Sequence, residues 1–479
     1  MRTIHPPLLR QLGIIGYDAL EPVILAALAT ESPLLLIGPH GTAKSLLLCK
    51  LCEALGLSWR HYNASLLNFD DLVGYPLPDA EGKLRFVETP ASIWQAEAVF
   101  LDEISRCRPD MQNRLFSIIH ERRVQGLPIA KLKFRWAAMN PPAREDAVAG
   151  DSANYLGSEA LDAALADRFN FVIEVPEWQR FSEADRDAVV QSAPTPVDAA
   201  VSQLLRERIT LVAREIEVVE SALGPAIVDY VRMVAPLLAQ LGHPASGRRA
   251  GMLYRNVIST HAARLVASPT AAATDSAWLA LERSIPQRAE GATVDRAKLM
   301  LAHTEAWKTV SLDRADPRRL LVGVLCPVAR AIRACGIDSL SSIELSAHVA
   351  DALASVGLGG RHAFATFVIG SPAAGRLNAA IAEQVADLHA ATVVAQSVDE
   401  TVPRSDPKFV VWNAIVSNLA SHPSLAANSS SAGVLANLLL SSCRSGLLKA
   451  GTEVLPLIES WLAIDALCAP HKEVRRAAA

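Results

Sequence analysis

Residues 33–51 read PLLLIGPHGTAKSLLLCKL, which is a short apolar run, a turn of small residues and a second apolar run. The first run, 33–38, has the length of a buried β-strand, and the second is long enough for a helix. The turn between them ends in Lys44-Ser45. A strand, a loop of small residues ending in Lys-Ser, and a helix are the parts of a P-loop, which binds nucleotide phosphates.

Each part of this loop has an expected role against the phosphates. Backbone N–H groups of small residues wrap the β-phosphate, and the helix N-terminus adds a positive dipole. Lys44 supplies a positive charge to the β- and γ-phosphates, and the Ser45 hydroxyl is a ligand for Mg²⁺. The residues predicted to bind ATP here are Gly38, Pro39, His40, Gly41, Thr42, Ala43, Lys44 and Ser45.

Ala43 departs from the usual P-loop pattern, in which Gly precedes the Lys. An alanine fits there if its backbone φ is negative, as at the start of a helix, and we expect that conformation. His40 either touches the nucleotide or is only part of the loop. Alternatively, the segment is an ordinary strand, turn and helix in which a lysine occurs by chance. The order of the segments favours ATP binding over that interpretation.

An acidic pair ends the apolar run AVFLDE at residues 98–103. In open α/β sheets, ligands bind at the carboxyl ends of the strands. We therefore expect Asp102 to hold the Mg²⁺ shell and Glu103 to act as a general base on the attacking water. A strand that merely reaches solvent would carry the same charges, but the P-loop upstream favours the catalytic interpretation.

Short apolar runs alternate with long helical patterns in the first 180 residues. This alternation predicts an α/β fold with a parallel, doubly wound sheet. Two turn-rich segments, 75–90 and 122–134, predict inserted β-hairpins, the second with Gly126 and Pro128 at its turn. The predicted strands are 33–38, 58–64, 98–104, 134–140 and 169–176.

The remaining pattern divides the chain into three predicted domains. These are an α/β core over 1–180, an α-helical lid over 198–310, and a mostly helical C-terminal domain over 311–479. Composition also predicts a polar linker at 177–197, loops at 268–276 and 427–433, and a boundary at 312–319.

Composition excludes several classes of protein. The 479 residues carry a net charge of −4, so no global basic field points to nucleic acid. The chain has no signal-peptide pattern and no run of 18 apolar residues, so we expect a cytoplasmic protein without membrane insertion. Cys49 and Cys52 have CxxC spacing, but their place in an apolar helical run favours core packing over metal or redox chemistry.

Several motifs together resemble the MoxR-type AAA+ ATPases over about residues 10–300. An alanine at the Ala43 position is common in that family, and the hairpin at 75–90 lies where the family has its helix-2 insert. The resemblance implies an AAA+ core followed by a helical lid. The motifs, in family order, are GPHGTAKS (38–45), VFLDEI (99–104), AAMNP (137–141), ALADRF (164–169) and SGRRA (246–250).

The resemblance also carries three further residues into the site. Asn140 matches the sensor-1 position beside the γ-phosphate, although an Asn before two prolines is also good turn chemistry. Arg168 resembles the arginine finger that reaches the neighbouring subunit's ATP, with a surface pair to Asp167 as the alternative. Arg248 matches sensor 2 in the lid, and a register shift by one would give that role to Arg249.

The family implies a hexameric ring with ATP and Mg²⁺ that remodels or matures partner proteins as a chaperone does. Such ATPases often work with a von Willebrand A-domain partner. This chain has no D-x-S-x-S motif, so that partner would be a separate protein. The region 311–479 lies outside the resemblance, and its role stays open.

Three other functions remain open from the residues. One is a nucleotide-dependent scaffold with slow hydrolysis, and another is a P-loop kinase, which Asn140 and Arg168 disfavour. The third is a nucleic-acid motor, which would bind nucleic acid through basic residues that alternate along the hairpin regions. A strand face that is simply exposed to solvent is the preferred interpretation of those residues. The basic residues that alternate along the hairpin regions are Lys83, Arg85, Lys131, Lys133 and Arg135.

Overall fold

A computed structural model describes residues 7–82, 84–142, 158–193, 195–393, 402–421 and 430–478. The chain divides into two compact units, Met1–Ser311 and Leu312–Ala479. The first unit holds all nine strands found in the described residues, and the second is helical.

The nine strands form one central sheet and two small hairpins. The central sheet has five strands in the order β2-β5-β8-β1-β9, and all of its neighbours are parallel. This confirms the predicted parallel α/β fold and all five predicted core strands. The strands are β1 (Leu34–Ile37), β2 (Trp59–Asn63), β3 (Tyr75–Pro78), β4 (Leu84–Val87), β5 (Ala98–Asp102), β6 (Arg123–Val124), β7 (Leu127–Pro128), β8 (Phe134–Met139) and β9 (Phe171–Glu174).

Helices cover both faces of the central sheet and make up most of the second unit as described. In the first unit they are α1 (Leu8–Gln11), α2 (Glu21–Ala29), α3 (Lys44–Leu55), α4 (Phe69–Val73), α5 (Pro109–Glu121), α6 (Ala163–Ala166), α7 (Glu183–Val190), α8 (Ala199–Gln240), α9 (Gly247–Ala267), α10 (Ala273–Glu282) and α11 (Arg296–Ser311). In the second unit they are α12 (Pro327–Ala334), α13 (Ser342–Ser355), α14 (Leu358–Ile369), α15 (Ala379–Val393), α16 (Phe409–Ser421), α17 (Ser430–Arg444) and α18 (Val454–Ala478).

Both predicted hairpins are present, but the turn of the second one lies earlier in the sequence than predicted. Strands β3 and β4 pair antiparallel, as do β6 and β7. The β6–β7 turn is made by Gln125 and Gly126, which have φ of +47° and +83°. Such left-handed pairs match the twist of a tight hairpin. Pro128 lies in β7 opposite Arg123, so its prediction at the turn was wrong.

Three predicted loops also differ from the structure. The linker 177–197 contains α7, whose N-cap Ser182 accepts a hydrogen bond from the Asp185 N–H. The loop 268–276 is shorter, because α10 begins at Ala273. Of the predicted turn 427–433, the first three residues lie outside the described chain, and residues 430–433 open α17.

One face of the sheet shares a hydrophobic core with helices α8–α11, here called the lid. Leu34 and Leu36 of β1 point to this face, together with Val257 of α9 and Leu299 of α11. Leu35, the residue between the two leucines, points to the opposite face, which α4, α5 and α6 cover. The lid is therefore continuous with the sheet through one core.

Helix α8 is, among the described residues, the one helix long and apolar enough to cross a membrane. About 44% of its apolar window is buried inside the protein. Its buried residues, such as Leu205, Tyr230 and Val234, belong to the core that α8 shares with the sheet.

A buried histidine lies at the centre of an aromatic cluster in the lid. The Tyr230 hydroxyl and His303 Nδ1 are 2.9 Å apart, and Thr274 Oγ1 lies 3.4 Å from Nε2. The rings of Trp278 and Trp307 lie within 6 Å of the imidazole. Burial lowers the pKa of His303 to about 4, so it is neutral near pH 7.

We expect His303 to make the first unit less stable in mild acid. The unfolded imidazole takes up a proton below its ordinary pKa of about 6.5, whereas the folded one does so only near pH 4. Stability is therefore full above pH 6.5 and falls as the pH drops towards 4, by at most about 3 kcal/mol. Urea unfolding of the wild type and His303→Gln at pH 7 and pH 5 measures this, and equal pH dependence in both would contradict it.

Candidate nucleotide site

Most of the predicted phosphate-binding residues line one cavity of about 280 Å³ at the carboxyl edge of the sheet, although Gly38 and Pro39 do not. It lies where β1, β5 and β8 end. Because parallel strands present their carboxyl ends at one edge, three separate sequence segments meet there. The residues that line it are His40, Gly41, Thr42, Ala43, Lys44, Ser45, Leu46, Asp102, Glu103, Met139 and Asn140.

Lys44 is the buried cation of this cavity. Its ammonium donates to the backbone carbonyls of Gly38 and Pro39, at 2.7 and 2.8 Å, and lies 3.5 Å from Asn140 Oδ1. Burial lowers the pKa of Lys44 to about 8, against the opposing charges of Asp102 and Glu103. A bound phosphate group would add negative charge beside this ammonium and favour its protonated form.

Ser45 and Asp102 lie together as a pair of oxygen donors. The Ser45 hydroxyl donates to Asp102 Oδ2 at 2.8 Å, and His61 Nε2 lies 3.4 Å from the same oxygen. Burial opposes ionisation of Asp102, but hydrogen bonds from His61, Ser45 and the Glu103 N–H outweigh it, so its pKa is lowered. A hydroxyl beside an ionised carboxylate is the donor set that Mg²⁺ takes in phosphate sites, so these residues fit the ion.

The sequence did not point to His61, which belongs to the neighbouring strand β2. Its place beside Asp102 depends on β2 pairing with β5, where Asn63 lies opposite Asp102. His61 is one of several polar residues in this strand, so it gave no specific signal, and the strand order could not be derived from the sequence.

Glu103 has a strained backbone at the position predicted for the general base. Its φ is +53°, in the left-handed region that non-glycine residues seldom adopt. The side chain is half-buried, and Arg106 NH1 lies 3.9 Å from its Oε2. Strain of this kind clusters at functional sites, where it fixes the direction of a side chain.

Asn140 lies at the end of β8 and is almost fully buried. Its Nδ2 is 3.2 Å from His40 Nε2, and its backbone carbonyl accepts a hydrogen bond from Ser158. The sensor-1 candidate is therefore beside both His40 and Lys44. His40 also lines the cavity.

Ala43 does not have the negative φ that the sequence predicted. Its φ is +63° and its ψ is +19°, a left-handed conformation immediately before helix α3. The phosphate loop needs this conformation to turn its N–H groups inward, which explains the usual glycine at this position. The methyl group of Ala43 therefore strains the loop without filling the cavity.

A second cavity, of about 440 Å³, lies on the other side of the P-loop. Ile15, Trp178 and Phe181 are among its apolar lining residues. The N-terminal wall is fixed to the P-loop by Tyr17, whose hydroxyl donates to the Thr42 carbonyl at 2.6 Å. An apolar and aromatic space beside a phosphate loop suits a nucleobase.

The sequence analysis missed this second cavity. Arg10 joins its two walls by pairing with both Asp18 and Asp185. The only signal was two aromatic residues, Trp178 and Phe181, in a segment interpreted as a polar linker. Nothing in the pattern connects that segment to the N-terminus.

Arg168 and Arg248 do not line either cavity. Arg168 packs over the ring of Phe116 at 4.2 Å and donates to the Ala164 carbonyl. Arg248 is exposed and lies 3.4 Å from Asp167. Burial lowers the pKa of Arg168, and the charge of Arg248 lowers it further.

The basic strand face proposed for nucleic acid is only partly a surface. Lys131 and Lys133 are exposed, but Arg135 is 5% exposed and donates to the carbonyls of Ile119 and Glu31. Burial lowers its pKa to about 9. Arg135 is therefore removed from the basic face. Lys83 lies outside the described residues, so the structure does not test the first hairpin.

We expect Ala43→Gly to stabilise the protein. It relieves about 1–2 kcal/mol of left-handed strain but adds about 0.4–1 kcal/mol of unfolded-chain entropy, for a net gain of about 0.5–1 kcal/mol. Ala213→Gly, on the exposed face of α8, is the matched control and should lose about 1 kcal/mol. Urea unfolding of both variants measures the difference, and a loss at both positions would contradict strain at Ala43.

Residues 33–169 match the AAA domain family, dynein-related subfamily. No curated protein matches the chain. Among solved structures, it is similar to one described as a putative ATPase from Cytophaga hutchinsonii, at 19% identity and a TM-score of 0.37. That similarity covers 54% of this chain and 79% of the other. The parallel sheet, the phosphate cavity and the family match identify residues 33–169 as an AAA-type domain, and the protein is an ATPase.

Proposed function

We propose that this ATPase hydrolyses ATP with Mg²⁺ in a ring of identical subunits and remodels partner proteins, as MoxR-type AAA+ ATPases do. The observation that carries the proposal is that some of the predicted charged site residues line the cavity and others do not. Lys44, Asp102 and Glu103 line one cavity, whereas Arg168 and Arg248 do not line it. Apart from Lys44, the described lining of this cavity has no lysine or arginine to offset charge as the γ-phosphate transfers, and a second subunit would supply one.

The phosphates are held by the P-loop from Gly38 to Ser45. Lys44 exchanges its contacts with the loop carbonyls for the β- and γ-phosphate oxygens, and its burial strengthens that attraction. Ser45 and Asp102 are the residues that would hold Mg²⁺. When bound, that ion neutralises phosphate charge.

Hydrolysis is assigned to Glu103 and Asn140, which both line the cavity. Glu103 accepts a proton from a water molecule, whose oxygen forms a bond to the γ-phosphorus. The bond to the β–γ bridging oxygen breaks, which gives ADP and inorganic phosphate. The Asn140 side-chain amide orients the water and the γ-phosphate oxygens.

The nucleobase is assigned to the second cavity. Ile15 and Phe181 provide apolar walls, and Trp178 adds a large aromatic surface. Because the P-loop lines both cavities, one nucleotide spans them with its phosphates over Lys44 and its base between the N-terminal segment and residues 176–192.

Protein clients are supported by exposed apolar residues on the hairpins. Tyr75, Leu77 and Val87 of the first hairpin, and Leu127 of the second, are each 44–55% exposed. Exposed apolar residues grouped on inserted hairpins are typical of a surface that contacts another protein. A separate von Willebrand A-domain protein is one such partner, and residues 311–479 are proposed as an adaptor for clients.

We expect Glu103→Gln and Lys44→Ala to separate hydrolysis from binding. Glu103→Gln keeps the phosphate contacts but cannot accept a proton, so it should bind ATP normally and hydrolyse it at least about 10²-fold more slowly. Lys44→Ala removes the buried cation and should lose ATP binding. Equilibrium binding and single-turnover hydrolysis measure the two effects. Hydrolysis by Glu103→Gln at the wild-type rate would refute the base assignment.

We expect turnover per subunit to rise cooperatively with protein concentration, because the site is completed by a neighbour. Arg168→Ala should bind ATP but lose about 10³–10⁵-fold in turnover at every concentration. Arg214→Gln, on the exposed face of α8, serves as the control and should behave as the wild type. Steady-state assays over a concentration series, with light scattering for assembly, test this. A concentration-independent rate that Arg168→Ala leaves unchanged would argue against a shared site.

A further inference from the structure

Arg249, the neighbour of Arg248 in the lid, is one of the most enclosed charged residues in the described chain. It is 3% exposed. Its Nε donates to Asp167 Oδ1 at 3.1 Å, and NH1 donates to the Asn170 carbonyl at 3.2 Å. Its NH2 donates to the carbonyls of Asp167 and Phe169, at 2.9 and 2.8 Å.

All of these acceptors belong to one short segment, residues 166–170, which follows helix α6. Carbonyls that follow the end of a helix have no partner within it, and here the guanidinium satisfies those of Asp167, Phe169 and Asn170. The planar fork of arginine has five donors in fixed directions, so it can hold several carbonyls at once. Arg168 lies at the middle of this segment, and its neighbours on both sides are bound to Arg249.

A second contact from the same helix strengthens the attachment. Asn256, two turns after Arg249 on α9, donates through Nδ2 to the Asn170 carbonyl at 2.8 Å. The same Nδ2 lies 2.8 Å from Ser284 Oγ, at the end of α10. The segment that carries Arg168 is therefore tied to the lid at two points, neither of which involves the Arg168 side chain.

Arg248 differs from Arg249 in each of these respects. Its side chain is 42% exposed, and NH1 lies 3.4 Å from the Asp167 carboxylate. An arginine that is to reach a phosphate must be able to leave its resting contacts. Arg249 would have to abandon three backbone carbonyls and a carboxylate inside the protein, which opposes such a movement.

We infer that Arg249 is a positioning residue that holds the Arg168 segment against the lid, so that Arg168 is presented to the neighbouring subunit's ATP. The inference rests on the proposed role of Arg168 as a finger supplied in trans. It assigns Arg249 to the partner's site through Arg168 and not to its own subunit's phosphates. Lid and finger then move together, because one guanidinium joins them.

Mixed rings of two inactive variants test this assignment. Arg249→Gln keeps its own P-loop and Glu103 but presents a displaced finger, and we expect about 10²-fold lower turnover with unchanged ATP binding, since small misplacements have effects of that size. Glu103→Gln cannot hydrolyse ATP but presents an intact finger. Adding Glu103→Gln subunits to Arg249→Gln should therefore restore turnover at least 10-fold above either variant alone.

Arg168→Ala mixed with Glu103→Gln is the parallel measurement, and it should be restored in the same way. If Arg168→Ala is restored and Arg249→Gln is not, Arg249 acts within its own subunit and the inference fails while the shared finger stands. If Arg168→Ala is not restored, the proposed shared site fails and the inference fails with it. Arg255→Gln, an exposed arginine on the same helix, should keep wild-type turnover throughout.

Two further variants cover the case in which Arg249→Gln does not fold. Arg249→Lys keeps the charge but loses the fork, so it should show the same loss of turnover and the same restoration. Asp167→Asn removes one acceptor and keeps the carbonyl contacts, and it should show a smaller loss that Glu103→Gln also restores. Failure of Glu103→Gln to restore any of these folded variants overturns the inference.

Discussion

The hydrogen bond between Ser45 and Asp102 joins the first residues of helix α3 to the end of strand β5, and the rest of the site depends on the geometry that makes it possible. Those residues are 57 positions apart in sequence. They meet because β1 and β5 are parallel strands of one sheet, separated by β8, and all three end at the same edge. The carboxyl ends of these strands therefore set where the phosphate loop, the acidic pair and Asn140 lie.

The sequence predicted this edge well, because local patterns specify it. Buried parallel strands are continuously apolar, and the polar residues that follow each strand must lie at the strand ends. The P-loop, Asp102, Glu103 and Asn140 all follow that rule, and they line one cavity. The backbone at Ala43 does not follow from the pattern, since φ depends on how the loop closes and not on residue type.

Features that depend on contacts between distant segments could not be predicted in the same way. The wall containing Trp178 is built by a segment whose polar composition indicates a linker, and its partner is the N-terminus. Arg248 and Arg249 are adjacent in sequence and chemically identical, yet one is exposed and the other is enclosed by carbonyls of residues 166–170. Only the position of α9 against that segment distinguishes them.

The core shared by the lid and the sheet has a mechanical consequence. Leu34 and Leu36, on the strand that leads into the phosphate loop, pack in the same core as the buried residues of α8, α9 and α11. Hinging the lid away from the sheet would expose that apolar surface to water, which is strongly unfavourable. The sheet and the lid of the first unit therefore form one stiff body. In the proposed ring, the movement that ATP drives would fall between such bodies, at the contacts between subunits.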